Sequence, residues 1–321
     1  MLKFILKRIL FLIPTILGVI FIVCVLMDLT PSDAVDMHFA SASEEVKEAK
    51  REELGLNDPL LIRYVKYVRD IVTKGSLGVS MMSGQPVMSE LMTRFPVTLL
   101  LTFISIFLGI LIGIPLGVIS AVKQYTAADS IILTISMVSI SFPNFWLALL
   151  LILFFSVNLG WLPTSGIMTW TGWIMPVIVT TFSCLASFVR ITRSSMLEVI
   201  RQDFVRTAKA KGQKARVITV KHVLRNALIP VITQVAGQIG ALLGGALIVE
   251  SIFSLPGIGQ YLVSAINDRN YPSVLGGVVL LAFVYTIINL IVDILYTVVD
   301  PRLKMEMIGT KKVKKKEVLK A

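Results

Sequence analysis

The chain has 321 residues, of which 55% are hydrophobic and 16% are charged, and its formal net charge is +11. A water-soluble domain usually carries about 25% charged residues, so this composition excludes a soluble globule, which would lack the polar surface to cover itself. The apolar residues fall in blocks close to the roughly 20 residues that a membrane-spanning helix needs, which indicates an integral membrane protein. The excess of Lys and Arg is then explained by basic cytoplasmic loops, rather than by binding to nucleic acid.

The first apolar block runs from about Ile9 to Leu29 and follows three basic residues. A secretory signal also combines basic residues with an apolar run, but its apolar region is only about 7–15 residues long. We therefore interpret residues 1–30 as a retained transmembrane helix with its N-terminus in the cytoplasm. Residues 31–96 are more polar and predict a small helical cap outside the membrane, with helices near Ser43–Leu54 and Asp58–Thr73.

Residues 97–299 contain five further apolar blocks. These are about Val97–Val122, Ser130–Val157, Gly172–Val189, Ala227–Val249 and Ser273–Val299. Such long runs in lipid must be helical, because every backbone polar group needs a partner within the protein. The prediction is an all-α polytopic membrane protein with six transmembrane helices. With six spans, most Lys and Arg residues lie on the same side of the membrane as the N-terminus, so both termini are predicted to be cytoplasmic. Residues 300–321 are then predicted to form a basic cytoplasmic tail.

Small residues recur at four-residue steps in two of the predicted spans. They are Gly109, Gly113 and Gly117 in the second span, and Gly237, Ala241 and Gly245 in the fifth. Small residues at this spacing allow membrane helices to approach closely. The alternative is that glycine is simply frequent in membrane helices.

The long connection at residues 190–226 is predicted to carry the function. Leu197, Ile200, Phe204 and Ala208 recur at three- and four-residue steps, so they predict one apolar stripe on a single helix. Gly212 follows as the residue that can end this helix in a left-handed conformation, before a second, basic helix returns to the membrane. A short amphipathic helix that ends at a turn suits docking into a groove on a partner protein. An interfacial helix on anionic lipid is the alternative.

Several segments then carry a family resemblance. Phe204-Val-Arg-Thr-Ala-Lys-Ala-Lys-Gly212 and His222-Val-Leu-Arg-Asn-Ala-Leu-Ile-Pro230 resemble the coupling segment of ABC importer permeases, in particular the dipeptide/oligopeptide/nickel family. Other segments agree in order and spacing, among them Arg94-Phe-Pro-Val-Thr98, Val249-Glu-Ser-Ile-Phe-Ser-Leu-Pro-Gly257 and Asn270-Tyr-Pro272. The general importer motif has Glu-Ala-Ala where this chain has Arg206-Thr207-Ala208, and this departure is the one that the peptide branch shows.

The resemblance implies a non-catalytic permease subunit of an ATP-driven, binding-protein-dependent importer in a bacterial or archaeal cytoplasmic membrane. Its implied partners are a second homologous permease chain, two ATPase subunits that bind ATP and Mg²⁺, and an extracytoplasmic binding protein or lipoprotein. This chain has no phosphate-binding loop of the Gly-x-x-x-x-Gly-Lys-Ser/Thr type, so no cofactor is expected on it. Di- or oligopeptides are the implied substrate, with nickel, metal chelates or glutathione as alternatives. A stand-alone secondary transporter or channel is the alternative class of protein.

Two sets of site residues follow. The set predicted to contact the ATPase subunits is Met196, Ile200, Phe204, Arg206, Thr207, Ala208, Lys209, Ala210 and Gly212. The set predicted for the translocation path is Pro143, Asn144 and Asp293. A proline leaves backbone carbonyl groups of its helix without hydrogen-bond partners, so a polar cavity can lie beside it. An ionisable side chain within a membrane span is costly and is therefore interpreted first as a functional group. Kinked helix packing at Pro143 and a structural ion pair at Asp293 are the alternatives. No metal site is predicted, since the two Cys and two His residues show no ligand spacing.

Overall fold

The computed structural model describes the backbone of residues 2–29, 34–39, 41–53 and 55–299, with the side chains of those ranges except 2–9, 34, 53, 245 and 292–299. The predicted basic tail lies outside the described residues. Within them, the chain is helical apart from loops and one isolated antiparallel bridge between Val79 and Pro86. This confirms the all-α prediction.

The helices, in chain order, are α1 (Leu2–Asp28), α2 (Ala34–His38), α3 (Glu44–Glu53), α4 (Leu60–Lys74), α5 (Val87–Val122), α6 (Ala127–Ser141), α7 (Asn144–Leu151), α8 (Ile174–Ile200), α9 (Asp203–Ala210), α10 (Ala215–Val217), α11 (Arg225–Ile252), α12 (Ile258–Asn267) and α13 (Tyr271–Val299). A π-helical segment, Ile152–Asn158, continues α7, and a second, Ile218–Leu224, joins α10 to α11. A short 3₁₀ turn, Trp170–Trp173, precedes α8.

The described residues contain five helices that are long and apolar enough to cross a membrane, or up to six if one bent pair is a single span. The five are Leu10–Asp28, Val87–Val122, Trp170–Ile200, Ala215–Gly244 and Tyr271–Ile291. The bent pair, Ala127–Ser141 and Asn144–Asn158, occupies most of the predicted third span. The helix count is therefore close to the prediction, and the orientation with both termini in the cytoplasm stays a prediction.

The predicted third span is broken at Pro143. Its two helices meet at an angle of 97°. Phe142 is extended, with ψ 124°, because a proline disfavours the helical conformation of the residue before it. Pro143 then begins a new helix, and its carbonyl accepts hydrogen bonds from the amides of Trp146 and Leu147 at 3.0 and 3.1 Å. The sequence predicts a kink within a continuous span, whereas the structure has a full break.

The described residues cluster in two compact units, one of residues 2–99 and 254–287 and the other of residues 100–253 and 288–299. In the first unit, α3 and α4 lie within two residues of their predicted bounds. Asn270 fixes the start of α13 there, because its amide donates to Ser80 Oγ at 2.8 Å and its Oδ1 accepts from the Met81 amide at 3.2 Å. Its neighbour Tyr271 donates to the Met27 carbonyl at 2.6 Å. The Asn270-Tyr-Pro272 segment therefore has a structural role.

Tyr261 of α12 lies in a second polar cluster of that unit. Its hydroxyl donates to Glu90 Oε2 at 2.7 Å and lies 2.7 Å from Ser273 Oγ. The Arg94 guanidinium lies over the ring, 4.7 Å from its centroid. Burial raises the pKa of Tyr261 to about 12. The tyrosine is therefore a neutral hydrogen-bond donor that holds α12 to α5 and α13.

In the second unit, α5 packs closely against α8. A Cβ atom built on Gly109, Gly113 or Gly117 would lie 2.6–2.8 Å from side-chain atoms of Cys184, Phe188 or Thr192. Real side chains do not approach so closely, so the glycines are what allow this contact. Of the two interpretations of the small-residue stripe in the second span, close helix packing is confirmed.

Candidate coupling site

The single helix that the sequence predicts through Leu197, Ile200, Phe204 and Ala208 is two helices in the structure. α8 ends at Ile200, Arg201 closes it, and Gln202 is extended with ψ 152°. The Gln202 carbonyl then accepts hydrogen bonds from the amides of Val205 and Arg206, at 3.1 and 3.5 Å, and so starts α9. Asp203 favours this restart, because a carboxylate in a first turn is stabilised by the helix dipole. The prediction of one continuous helix is wrong.

The break changes which face of the second helix is buried. Val205 and Ala208 are 1% and 7% exposed, whereas Phe204 is 40% exposed. The stripe predicted through Phe204 is therefore wrong at that residue and correct at Ala208. The two buried residues join a cluster contributed by α5, α8, α9, the second π-helical segment and α11. Its members are Ala121, Met196, Val199, Val205, Ala208, Ile218, Val223 and Ala227, with Ile200 and Leu197 partly buried against them.

Gly212 ends α9 as predicted, in the left-handed conformation with φ +73°. Its amide donates to the Lys209 carbonyl at 2.9 Å, and the Gln213 amide donates to the Ala208 carbonyl at 3.3 Å. These two bonds form the Schellman arrangement, which satisfies the free carbonyls at a helix end. His222 Nε2 donates to Gln213 Oε1 at 2.8 Å and so links the turn to the returning segment. The turn is fixed on both sides.

The outer face of α9 is polar and basic. The side chains of Arg206, Thr207, Lys209 and Ala210 are exposed, together with Phe204. Thr207 Oγ1 donates to the Asp203 carbonyl at 3.0 Å, so its hydroxyl is used within the helix. The arrangement is an exposed aromatic ring among cations, on a short helix whose opposite face is buried. A surface of this kind can transmit force to the helices beneath it.

A buried ion pair was not predicted. Arg193 Nε and Nη2 each donate to the Asp129 carboxylate at 2.8 Å, and Asp129 is 3% exposed. The Tyr125 amide also donates to this carboxylate at 3.0 Å, and the Ser120 hydroxyl donates to it as well. The pair ties the first turn of α6 to α8. The signal in the sequence is one acidic residue opening an apolar helix, but nothing in it identifies a partner 64 residues away.

The residues predicted for the translocation path are only partly described. Pro143 separates α6 from α7 and is exposed. Asn144 Oδ1 accepts a hydrogen bond from Ser183 Oγ at 2.8 Å, which joins α7 to α8. Asp293 lies outside the described side chains. In the described part of the chain, no group of three or more His, Cys, Asp or Glu side chains could hold a metal ion.

Two family models match this chain and together cover most of it. The binding-protein-dependent transport system inner membrane component matches residues 113–305, and the N-terminal model of the same membrane component matches residues 1–102. The glutathione transport system permease protein GsiC of Escherichia coli strain K12 is 39% identical over 305 residues, which are 95% of this chain and 99% of that protein. The same protein of Salmonella paratyphi A matches with the same identity and coverage.

A solved structure is similar in fold. It is an inward-facing conformation of the MetNI methionine ABC transporter, with a TM-score of 0.57 and 22% sequence identity. The likeness covers 66% of this chain and 97% of that one. The matched part of this chain therefore shares that fold.

Proposed function

The chain belongs to the family of inner membrane components of binding-protein-dependent transport systems, and from this premise we propose that it serves the import of small peptides, glutathione among them. It is a permease subunit of an ABC importer, the function predicted from the sequence. Its place is the inner membrane, as a multi-pass protein. The proposal adds the substrate class, the route by which ATP hydrolysis reaches the membrane, and the partners.

The substrate class rests on the relatives. Proteins named for glutathione transport share 39% of their residues with this chain over almost its full length. Glutathione is a tripeptide, so the peptides predicted from the sequence and the substrate in those names belong to one chemical class. We therefore favour small peptides with free carboxylates as substrates. No observation on this chain supports nickel or metal chelates instead.

The coupling route rests on one observation above all. Val205 and Ala208 of α9 are buried in a cluster shared with α5, α8 and α11, while Phe204, Arg206 and Lys209 on the same helix remain exposed. We propose that the exposed face docks in a groove of an ATPase subunit. Movement of that subunit would then press on α9, and the buried face would pass the displacement to three membrane helices. Such a contact biases a two-state rearrangement of the bundle.

The proposed partners are a second permease chain, two ATPase subunits that hold ATP and Mg²⁺, and an extracytoplasmic binding protein. The two permease chains would enclose the path between them, and the binding protein would deliver substrate from outside. ATP chemistry is assigned to the separate subunits, because this chain has no phosphate-binding loop.

The test is reconstitution of the whole importer in proteoliposomes. We expect ATP-dependent uptake of labelled glutathione or of a dipeptide, and no uptake when the ATPase subunits carry an inactivating substitution in their own phosphate-binding loop. If this chain purifies alone under several mild detergents and still moves substrate without ATP, the secondary-transporter alternative is correct. Uptake of nickel chelates with no uptake of either peptide would contradict the proposed substrate class, but it would not contradict the proposed coupling through α9.

A further inference from the structure

One face of α8 carries a row of polar residues that leads toward α9. Ser183, Ser187, Arg190 and Ser194 are separated by four, three and four residues, which is the spacing of neighbours on one side of a helix. α11 packs against α8 and contributes an amide side chain beside this row. The cavity of about 270 Å³ between the two helices is lined by Ser187, Arg190, Ile191, Ser194 and Gln234.

Arg190 lies within an apolar helix that is long enough to cross a membrane. It is within the apolar span Trp170–Ile200, although the sequence predicts it as the first residue of the coupling loop. α8 begins at Ile174, 16 residues before Arg190, and a rise of 1.5 Å per residue gives about 24 Å between them. The hydrocarbon core of a bilayer is about 30 Å thick. If Ile174 lies at one surface of this core, Arg190 lies in the opposite half, where a charged side chain must face water or a polar partner because lipid does not stabilise its charge.

The guanidinium of Arg190 has no partner in the part of the chain that the structure describes. The side chain is exposed and forms no hydrogen bond or ion pair with any other described residue. Arg193, one turn further along α8, forms a two-pronged ion pair with Asp129. The two arginines therefore have different roles. Arg193 holds the fold together, and Arg190 presents free donors to the cavity.

We propose that Arg190 lines the translocation path and recognises a carboxylate of the passing substrate. Its planar fork of donors matches a carboxylate geometrically, and every peptide of the proposed substrate class carries one. The neighbours favour a water-filled path over a lipid-facing surface, because the hydroxyl groups of Ser187 and Ser194 and the amide of Gln234 line the cavity beside Ile191. A single arginine in a hydrated cavity binds weakly enough to release its ligand, which a transport path requires. This inference rests on the proposed import of peptides.

The test uses the complete importer in proteoliposomes and compares two substrates. One is glutathione, and the other is glutathione with both carboxylates converted to amides. In the Arg190→Gln importer we expect glutathione uptake to fall by about tenfold or more relative to the parent importer, because the charged bidentate contact is lost. Uptake of the amide by that variant should stay within about twofold of the parent, and Arg190→Lys should restore part of the glutathione uptake. Lys123→Gln is the matched control, since it removes one exposed positive charge outside the cavity and should leave both substrates unaffected.

Three results would overturn the inference. Equal loss of both substrates, with loss of the second permease chain on purification, would assign Arg190 to an ion pair between the two permeases. Unchanged uptake of both would assign it to a lipid headgroup. Labelling that fails in the accessibility measurement below would place the cavity outside the water-filled path. A parent importer that takes up no peptide at all would instead contradict the proposed function.

A second measurement leaves Arg190 in place, in case its variants fail to assemble. Ser187→Cys is treated with a charged thiol reagent in the assembled importer. We expect labelling of this cysteine and protection from it by glutathione during turnover, because Ser187 lines the same cavity. The native Cys184 is fully buried and should remain unlabelled, which makes it an internal control on the same helix.

Discussion

Gly212 ends α9 in the left-handed conformation, and no atom lies near the position that a side chain would occupy. A Cβ atom at this position would meet nothing within 4 Å. Gly212→Ala therefore tests backbone conformation alone, and the left-handed region costs an L-residue about 1–2 kcal/mol. We expect the turn to loosen and substrate-stimulated ATPase activity of the reconstituted importer to fall severalfold.

Gly75 offers a matched control for this prediction. It ends α4 with φ +62°, and its Cβ position is also open. Gly75→Ala should lose a similar amount of stability and leave the ATPase stimulation unchanged, because α4 lies in the other unit. Equal effects of the two substitutions on ATPase stimulation would show that backbone strain anywhere in the chain, rather than the α9 turn, governs activity.

The Asp129–Arg193 pair is expected to dominate the polar contribution to stability. Removing one partner of a buried pair leaves an uncompensated charge, which costs about 3–5 kcal/mol. Asp129→Asn should therefore lower the thermal unfolding midpoint markedly in detergent, and Arg193→Gln in the same chain should recover part of the loss. Asp58→Asn is the comparison, because its partner Lys66 is about half exposed and surface pairs contribute at most about 1 kcal/mol. Similar shifts for Asp58→Asn and Asp129→Asn would contradict the structural role.

At the scale of elements, two adjacent residues of α9 have different predicted roles: Val205 stabilises the chain, and Phe204 docks on the ATPase subunit. Val205→Ala removes buried methyl groups from the cluster, so we expect a loss of about 2 kcal/mol in the stability of the chain. Phe204→Ala removes an exposed ring, and it should leave the unfolding midpoint unchanged while reducing the ATPase subunits that co-purify. Thermal unfolding and pull-down from the same preparations measure both effects. If Phe204→Ala destabilises the chain and Val205→Ala does not, the buried face is the one that the sequence predicts.

The sequence predicts elements well where local chemistry decides them. The bounds of α4 follow from the helical spacing of its apolar residues and the glycine that ends it, and Gly212 follows from its place after the periodic residues. It predicts poorly where two local preferences compete. The spacing of Ile200, Phe204 and Ala208 fits an unbroken helix, yet the Gln202–Asp203 restart shifts the buried face by one residue.

Contacts between distant segments are the other part that the sequence cannot supply. The hydrogen bond from Ser183 to Asn144 and the ion pair between Arg193 and Asp129 join helices that only the fold brings together. Length and apolar composition give the spans, but they do not say which polar side chains within them meet. The candidate coupling site was therefore predictable in position, while its depth in the bundle was not.

At the scale of the whole molecule, the two small-residue stripes have different surroundings. The small residues of α5 pack against α8 within the chain, since a Cβ at Gly113 would lie 2.8 Å from Phe188 Cβ. On α11, by contrast, a Cβ at Gly237 or Gly244 would meet nothing within 4 Å, and Ala241 beside them is exposed. An open face of small residues in a membrane helix allows a second helix to approach closely. We therefore predict that this face of α11 packs against the second permease chain.

Paired substitutions on the two stripes separate folding from assembly. Gly237→Leu should leave the thermal unfolding midpoint of the isolated chain unchanged, because its side chain has room, and should reduce recovery of the second permease chain by severalfold. Gly113→Leu should instead unfold the chain, because its side chain would overlap Phe188 and the helices cannot separate without losing their buried contacts. The measurement is size-exclusion chromatography of the two permeases co-expressed with each variant, with thermal unfolding of this chain alone. Full recovery of the partner with Gly237→Leu would place the α11 face against lipid or the path, and the interface between the two permeases would then have to lie on other helices.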